Sequence, residues 1–290
     1  HADGTFYYFT NEHEQTVDVV NTRTFEVEHR IQLANGPHNL SASMRARKVY
    51  VAIIAEPLIQ VIDMDSHEVI ANIETGGGVH NTFVTPDGRY AVGGMIGASE
   101  IIAIDTETDE VLWEMSIPYT QKPFTGGVRP IAFTTNDDGS TRSLLVNVGG
   151  WHGFWEIDWD TQQVTNKISP PDDAWNRTDQ TADGIQSAPS HGVVVLPDQS
   201  QVWHSSRATS HIYGFSYPDY NYLGRVYIGN PAWLTASNDS KHIWVGVASH
   251  NETAVVDVEA MEVVKRFPVG QAPKRIFTAI MPQDWEGEIQ

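Results

Sequence analysis

The feature that most constrains this chain is a repeat. A unit built around a Glu-Val strand core recurs as EVEHRI at 26–31, EVIANI at 68–73, EVLWEM at 110–115, QVTNKI at 163–168, YLGRVY at 222–227 and EVVKRF at 262–267. Ahead of each stands a strand ending in acidic or polar residues, as in VIDMD at 61–65, EIDWD at 156–160 and VVDVE at 255–259. Behind each comes a Gly/Pro turn and an apolar strand, such as GPHNLSAS or GGVHNTFVT. Self-similarity of this kind has to be settled before any other reading of a fold.

The spacing is roughly forty residues, with four short strand signals per unit separated by turn signals such as PDGR and PDQS, which is the arithmetic of one propeller blade. The sequence therefore predicts an all-β, closed β-propeller of four-stranded blades filling residues 1–290 as a single domain. Six blades are visible, and a seventh would need a degenerate unit that the sequence does not display. The chain opens with three strands of a unit and closes with the first strand of one, PKRIFTAI. The C-terminal strand is expected to complete the N-terminal blade, removing exposed sheet edges. Two polar inserts, 118–127 and 170–189, interrupt the period and are candidate functional loops.

These short strands, the VIDxxxxEV-like pattern and the Gly-Pro-His-Asn turn resemble the YVTN-type propeller repeat family of secreted and surface bacterial proteins, over essentially the whole chain. Members usually have seven blades. The resemblance implies a propeller and a secreted or periplasmic setting. For activity it implies little, because that fold carries oxidases, lyases, dehydrogenase subunits and adhesive proteins. The start at His1 is what removal of a signal peptide would leave.

Composition narrows the partners. With 37 acidic against 18 basic residues the formal charge is −19, and no basic stripe exists for nucleic acid or an anionic membrane. No apolar run reaches the roughly 18 residues of a membrane-spanning helix. Cysteine is absent, so a metal would have to be held by nitrogen and oxygen ligands. No HExxH, GxSxG or phosphate-loop pattern occurs.

The histidines are placed by the repeat. His38, His80 and His191 stand at the start of the innermost strand in three blades, where Arg129, Trp233 and Lys274 stand in the other three. These six are expected to ring one mouth of the central channel. The loops joining second and third strands add His13, His152, His211 and His250, with Glu56 and Glu100 in the same slots of the remaining blades. Imidazole is the commonest protein ligand for transition metals, and several converging from rigid strands make a site for copper or iron, with zinc as a further candidate. For a single histidine, the competing role is a polar residue lining a wet channel.

Together these residues predict a metal-dependent enzyme, a copper or iron oxidoreductase acting on a small molecule. His38, His80 and His191 would hold the metal, and His13, His152, His211 and His250 would be further ligands or neighbours. Arg129 and Lys274 would orient an anionic substrate, and Glu56 or Glu100 would act as base. The alternatives are a metal-assisted lyase on the same ring and a non-catalytic secreted propeller that offers its loop face to a protein partner.

Overall fold

A computed structural model describes residues 4–96, 100–117, 127–171 and 188–279. The described residues are all β: six antiparallel sheets formed in chain order, each with consecutive strands paired up and down as in a propeller blade. They divide into two compact units, residues 1–117 with 279–290, and residues 118–278. Among the described residues no helix is long and apolar enough to cross a membrane.

The first unit holds three sheets. The first has β1 (Phe6–Asn11), β2 (Thr16–Asn21) and β3 (Val27–Gln32). The second has β4 (Pro37–Ser43), β5 (Lys48–Ile53), β6 (Leu58–Asp63) and β7 (Val69–Glu74). The third has β8 (Val79–Val84), β9 (Tyr90–Met95), β10 (Glu100–Asp105) and β11 (Val111–Ser116). The middle strands of each sheet are buried on both faces, hence their unbroken apolar runs, whereas β3, β7 and β11 are largely exposed and read as polar-apolar mixtures. Val17, Val19, Val49, Val51 and Ile62 fill the space between the first two sheets. Tyr50, Ala52, Ile59, Val61, Ala91 and Ile102 fill that between the second and third.

The second unit repeats the plan. Its sheets are β12 (Val128–Thr135), β13 (Thr141–Val148), β14 (Phe154–Asp158) and β15 (Val164–Ile168); β16 (Ser190–Val195), β17 (Gln201–Ser206), β18 (His211–Ser216) and β19 (Tyr222–Tyr227); and β20 (Pro231–Ala236), β21 (His242–Val247), β22 (Glu252–Asp257) and β23 (Glu262–Pro268). The innermost strands β12, β16 and β20 lie side by side in that order. Trp155 and Trp203 are fully buried, as expected of tryptophans packing sheet on sheet.

One turn recurs in all six sheets and explains the acidic position of the repeat. Asn21, Asp63, Asp105, Asp158, Ser216 and Asp257 end the last strand but one of their sheets. Four residues later Phe25, His67, Asp109, Gln162, Tyr220 and Met261 adopt positive φ. In the second sheet Asp63 accepts from the backbone N–H groups of Asp65 and Ser66, at 3.0 and 2.7 Å, and its carbonyl accepts from His67 N. A short side-chain acceptor satisfies turn amides that no strand can reach, which is why Asp, Asn or Ser fills this slot.

The expected closing strand differs. Residues 273–279 form no strand, and the first sheet has three strands among the described residues. In the second unit this segment is tethered beside β20 by side-chain bonds: Thr278 Oγ1 donates to Ala236 O at 2.6 Å and lies 3.0 Å from Thr235 Oγ1. Side-chain tethers hold a segment in place without building a ladder. The inserts at 118–127 and 170–189 lie outside the described residues except at their edges.

Candidate functional site

Every complete sheet carries a β-bulge at the same place, one residue into its innermost strand. Pro37 pairs with Ile53 and Asn39 with Ala52, so His38 has no partner across the ladder. His80 is skipped in the same way between Val79 and Asn81, and His191 between Ser190 and Gly192. In β12 the skipped residues are Arg129 and Pro130, and in β20 they are Ala232 and Trp233. Pro130 has no N–H to offer a ladder, which suits it to such a site. Ahead of the bulge the ladder resumes, with Ile54, Ile96, Gly149 and Arg207 donating their N–H to Gly36, Gly78, Gly127 and Pro189 at 2.8–3.1 Å. Bulges re-aim side chains and cluster beside functional sites. Here they present the residues that the repeat had singled out.

In the first unit the rings of His38 and His80 lie 4.7 Å apart between centroids, tilted by 56°. His38 Nδ1 is 2.8 Å from Glu12 Oε2, and His80 Nδ1 is 2.5 Å from Asn81 Nδ2. Both rings are thus oriented through Nδ1. His80 is buried and His38 nearly so.

In the second unit the same end of the inner strands is cationic. Arg129, Arg207 and Arg275 all act electrostatically on His191, and with burial as the larger cause they hold its pKa down at about 3, so its ring is neutral. Burial, then the charge of Arg207, lowers Arg129 to about 10, and burial lowers Arg207. Arg129 Nε is buried without a hydrogen-bond partner among the described residues. Trp233, itself buried, links the group: its ring is 6.2 Å from that of His191, and the Arg275 guanidinium carbon is 5.7 Å from its centroid.

No family model matches the chain, and no curated protein matches it in sequence. In fold it is similar to Kuenenia stuttgartiensis hydrazine synthase, at a TM-score of 0.76 and 17% identity over 96% of this chain and 87% of that one. A functionally unknown protein from Desulfotomaculum acetoxidans gives a TM-score of 0.71 at 16% identity, over 92% and 80% of the two chains. Dihydro-heme d1 dehydrogenase NirN, solved in complex with DHE, gives 0.61 at 14%, over 92% and 64%. At these identities the likeness establishes architecture alone.

The remaining expected residues scatter. Lys274 is exposed, and its neighbour Arg275 takes the place over Trp233. His152 is buried and holds Ser206 Oγ at 2.7 Å within an aromatic cluster with His204 and Tyr213. His211 Nδ1 is taken by Thr209 O at 2.5 Å, and His250 Nδ1 lies 2.7 Å from Ser249 Oγ. His13 is exposed in the β1–β2 turn. Glu56 accepts from Asn35 N at 3.0 Å, and Glu100 lies against Gly76. No three His, Asp or Glu side chains form a metal-ligand group among the described residues. Burial first, and then the three guanidinium groups, keep the His191 ring neutral, the form in which an imidazole accepts a hydrogen bond or binds a cation.

Sequence reasoning passed over Glu12, Arg207 and Arg275. Arg207 had a readable signal: its hydrogen bond to Pro189 is the one made by Ile54, Ile96 and Gly149 in other repeats, so a charge stands where its equivalents are apolar or small.

Proposed function

We propose that the chain is a metal-dependent enzyme of propeller type, a copper or iron oxidoreductase acting on a small molecule at the bulged ends of its inner strands. In this reading the six sheets are six blades of a closed ring. The observation that carries the proposal is the pairing of His38 and His80 on equivalent bulges, rings 4.7 Å apart and both anchored at Nδ1.

Glu12, accepting from His38 Nδ1, makes His38 Nε2 a candidate ligand, and His80 Nε2 becomes one when the Asn81 amide is turned so that its Oδ1, buried without a partner among the described residues, accepts from His80 Nδ1. Glu12 would fix the His38 ring and raise its basicity, the usual part of a carboxylate behind a metal-binding imidazole. Asn81 would fix the His80 ring from inside the sheet. A copper or iron ion held there would supply redox chemistry with coordination positions open to substrate. Hydrazine synthase and a dehydrogenase among the similar folds support an enzymatic reading over a purely adhesive one.

Elemental analysis of the purified protein, before and after chelation and reconstitution with copper or iron, tests this. Near-stoichiometric metal that is lost on His80→Ala substitution, with an unchanged circular dichroism spectrum, is the expected result. No metal retained and none taken up would overturn the proposal and leave a non-catalytic binding propeller.

A further inference from the structure

We infer that the bulged end of the second unit's inner strands, formed by Arg129 on β12, Arg207 after β17 and Arg275 beside β20, is a receptor for a small organic dianion. The inference adds a ligand class to the reading above and stands on different residues.

The first argument is charge. The chain carries −19 overall, and its other well-placed arginines are spent on carboxylates: Arg30 on Asp18, Arg45 on Glu107, Arg47 on Asp65 and Arg266 on Glu252. Arg129 and Arg207 are partly buried, yet neither forms an ion pair with any described residue. In a chain with twice as many acids as bases, leaving these two without a carboxylate costs desolvation that a surface position would avoid. A bound anion supplies the missing charge.

The second argument is directional. Arg129 is raised out of the ladder by its bulge, and its buried Nε has no acceptor among the described residues. A guanidinium presents donors in a planar fork that matches carboxylate or phosphate, and a buried donor without an acceptor is costly unless a ligand provides one. Arg207 leaves the chain at the ladder bond that flanks the His191 bulge, so its side chain starts from the same end of the sheet. Arg275 is fixed over Trp233, and Trp233 over His191.

The third argument is selection. The two guanidinium groups without a carboxylate among the described residues, Arg129 and Arg207, exceed what one monoanion neutralises, so the site favours two negative charges. The neutral His191 adds a polar ring that neither repels nor neutralises the ligand.

Isothermal titration calorimetry of the full chain against succinate, inorganic phosphate and the uncharged control succinamide tests the inference. One site binding succinate or phosphate but not succinamide is expected, weakening as salt is raised. Arg129→Gln and Arg207→Gln should each weaken it at least tenfold with unchanged circular dichroism, and Arg207→Lys should recover part of the loss. Heat with succinate alone identifies a dicarboxylate, and heat with phosphate alone a phosphorylated ligand. Absence of binding by either anion, or wild-type affinity in both glutamine variants, would overturn it. Metal content of the two glutamine variants is expected to equal wild type, so the dianion site and the histidine pair fail separately.

Discussion

Glu12 Oε2 sits 2.8 Å from Nδ1 of His38, on a ring that faces His80 at 4.7 Å. If that carboxylate positions a ligating imidazole, Glu12→Gln should weaken metal retention by roughly 10- to 100-fold, the usual cost of removing such support. Competition with a chelator measures it. Glu12 is half exposed, so thermal unfolding of the metal-free protein should be nearly unchanged.

Burial holds His191 and His204 at pKa values of about 3, well below the ordinary 6.5. Both are neutral when folded and take up a proton when unfolded. Stability is therefore highest above pH 6.5 and falls continuously as pH drops from 6.5 towards 3. Ring resonances in nuclear magnetic resonance should stay unshifted from pH 8 to 5. His204→Phe, which keeps the ring stacked on Tyr213, should make denaturant midpoints less sensitive to pH over that range.

The turn carboxylates act at lower pH. Backbone and hydroxyl donors hold Asp63 and Asp158 below the ordinary 3.8. Their contribution is complete above 3.8 and is lost as pH falls through the lower folded values. Asp63→Ala or Asp158→Ala should each cost about 1 kcal/mol at neutral pH, as losses of comparable caps do. Urea unfolding at pH 7 checks the magnitude.

Gly153 has φ of 125°, and a Cβ added there would stand 1.9 Å from Ile168 O. Gly153→Ala should destabilise by about 3 kcal/mol or more, because backbone must move and the conformation disfavours any side chain. A control at Gly139, also at positive φ but with nothing within 4 Å, should lose only the conformational part. Thermal melts of the two variants separate clash from strain.

The strands, their order within each sheet and the turn aspartates could be read from the sequence because each depends on neighbours a few residues away and recurs with the repeat. The bulge residues His38, His80, Arg129, His191 and Trp233 were legible for the same reason. What was not legible depends on contacts between repeats. His152 reads as a loop histidine but packs into the hydrophobic cluster beside Tyr213, a contact with the next sheet. Lys274 and Arg275 could not be told apart because the last segment has no following strands to fix its register. The same lack of context made PKRIFTAI look like a strand. At His191 the residue type was visible, whereas the three guanidinium groups that act on it were not.

The repeated bulge separates two tasks that most sheet residues perform together. A side chain in a regular ladder position is chosen partly for its cross-strand neighbour, whereas the skipped residue answers to no partner on the adjacent strand. Each complete sheet thus carries a socket whose occupant can change without renegotiating the scaffold. Imidazole, guanidinium and indole already occupy it within one chain. Rewriting specificity at these bulges should accordingly be a matter of five interchangeable positions, with the surrounding β architecture left intact.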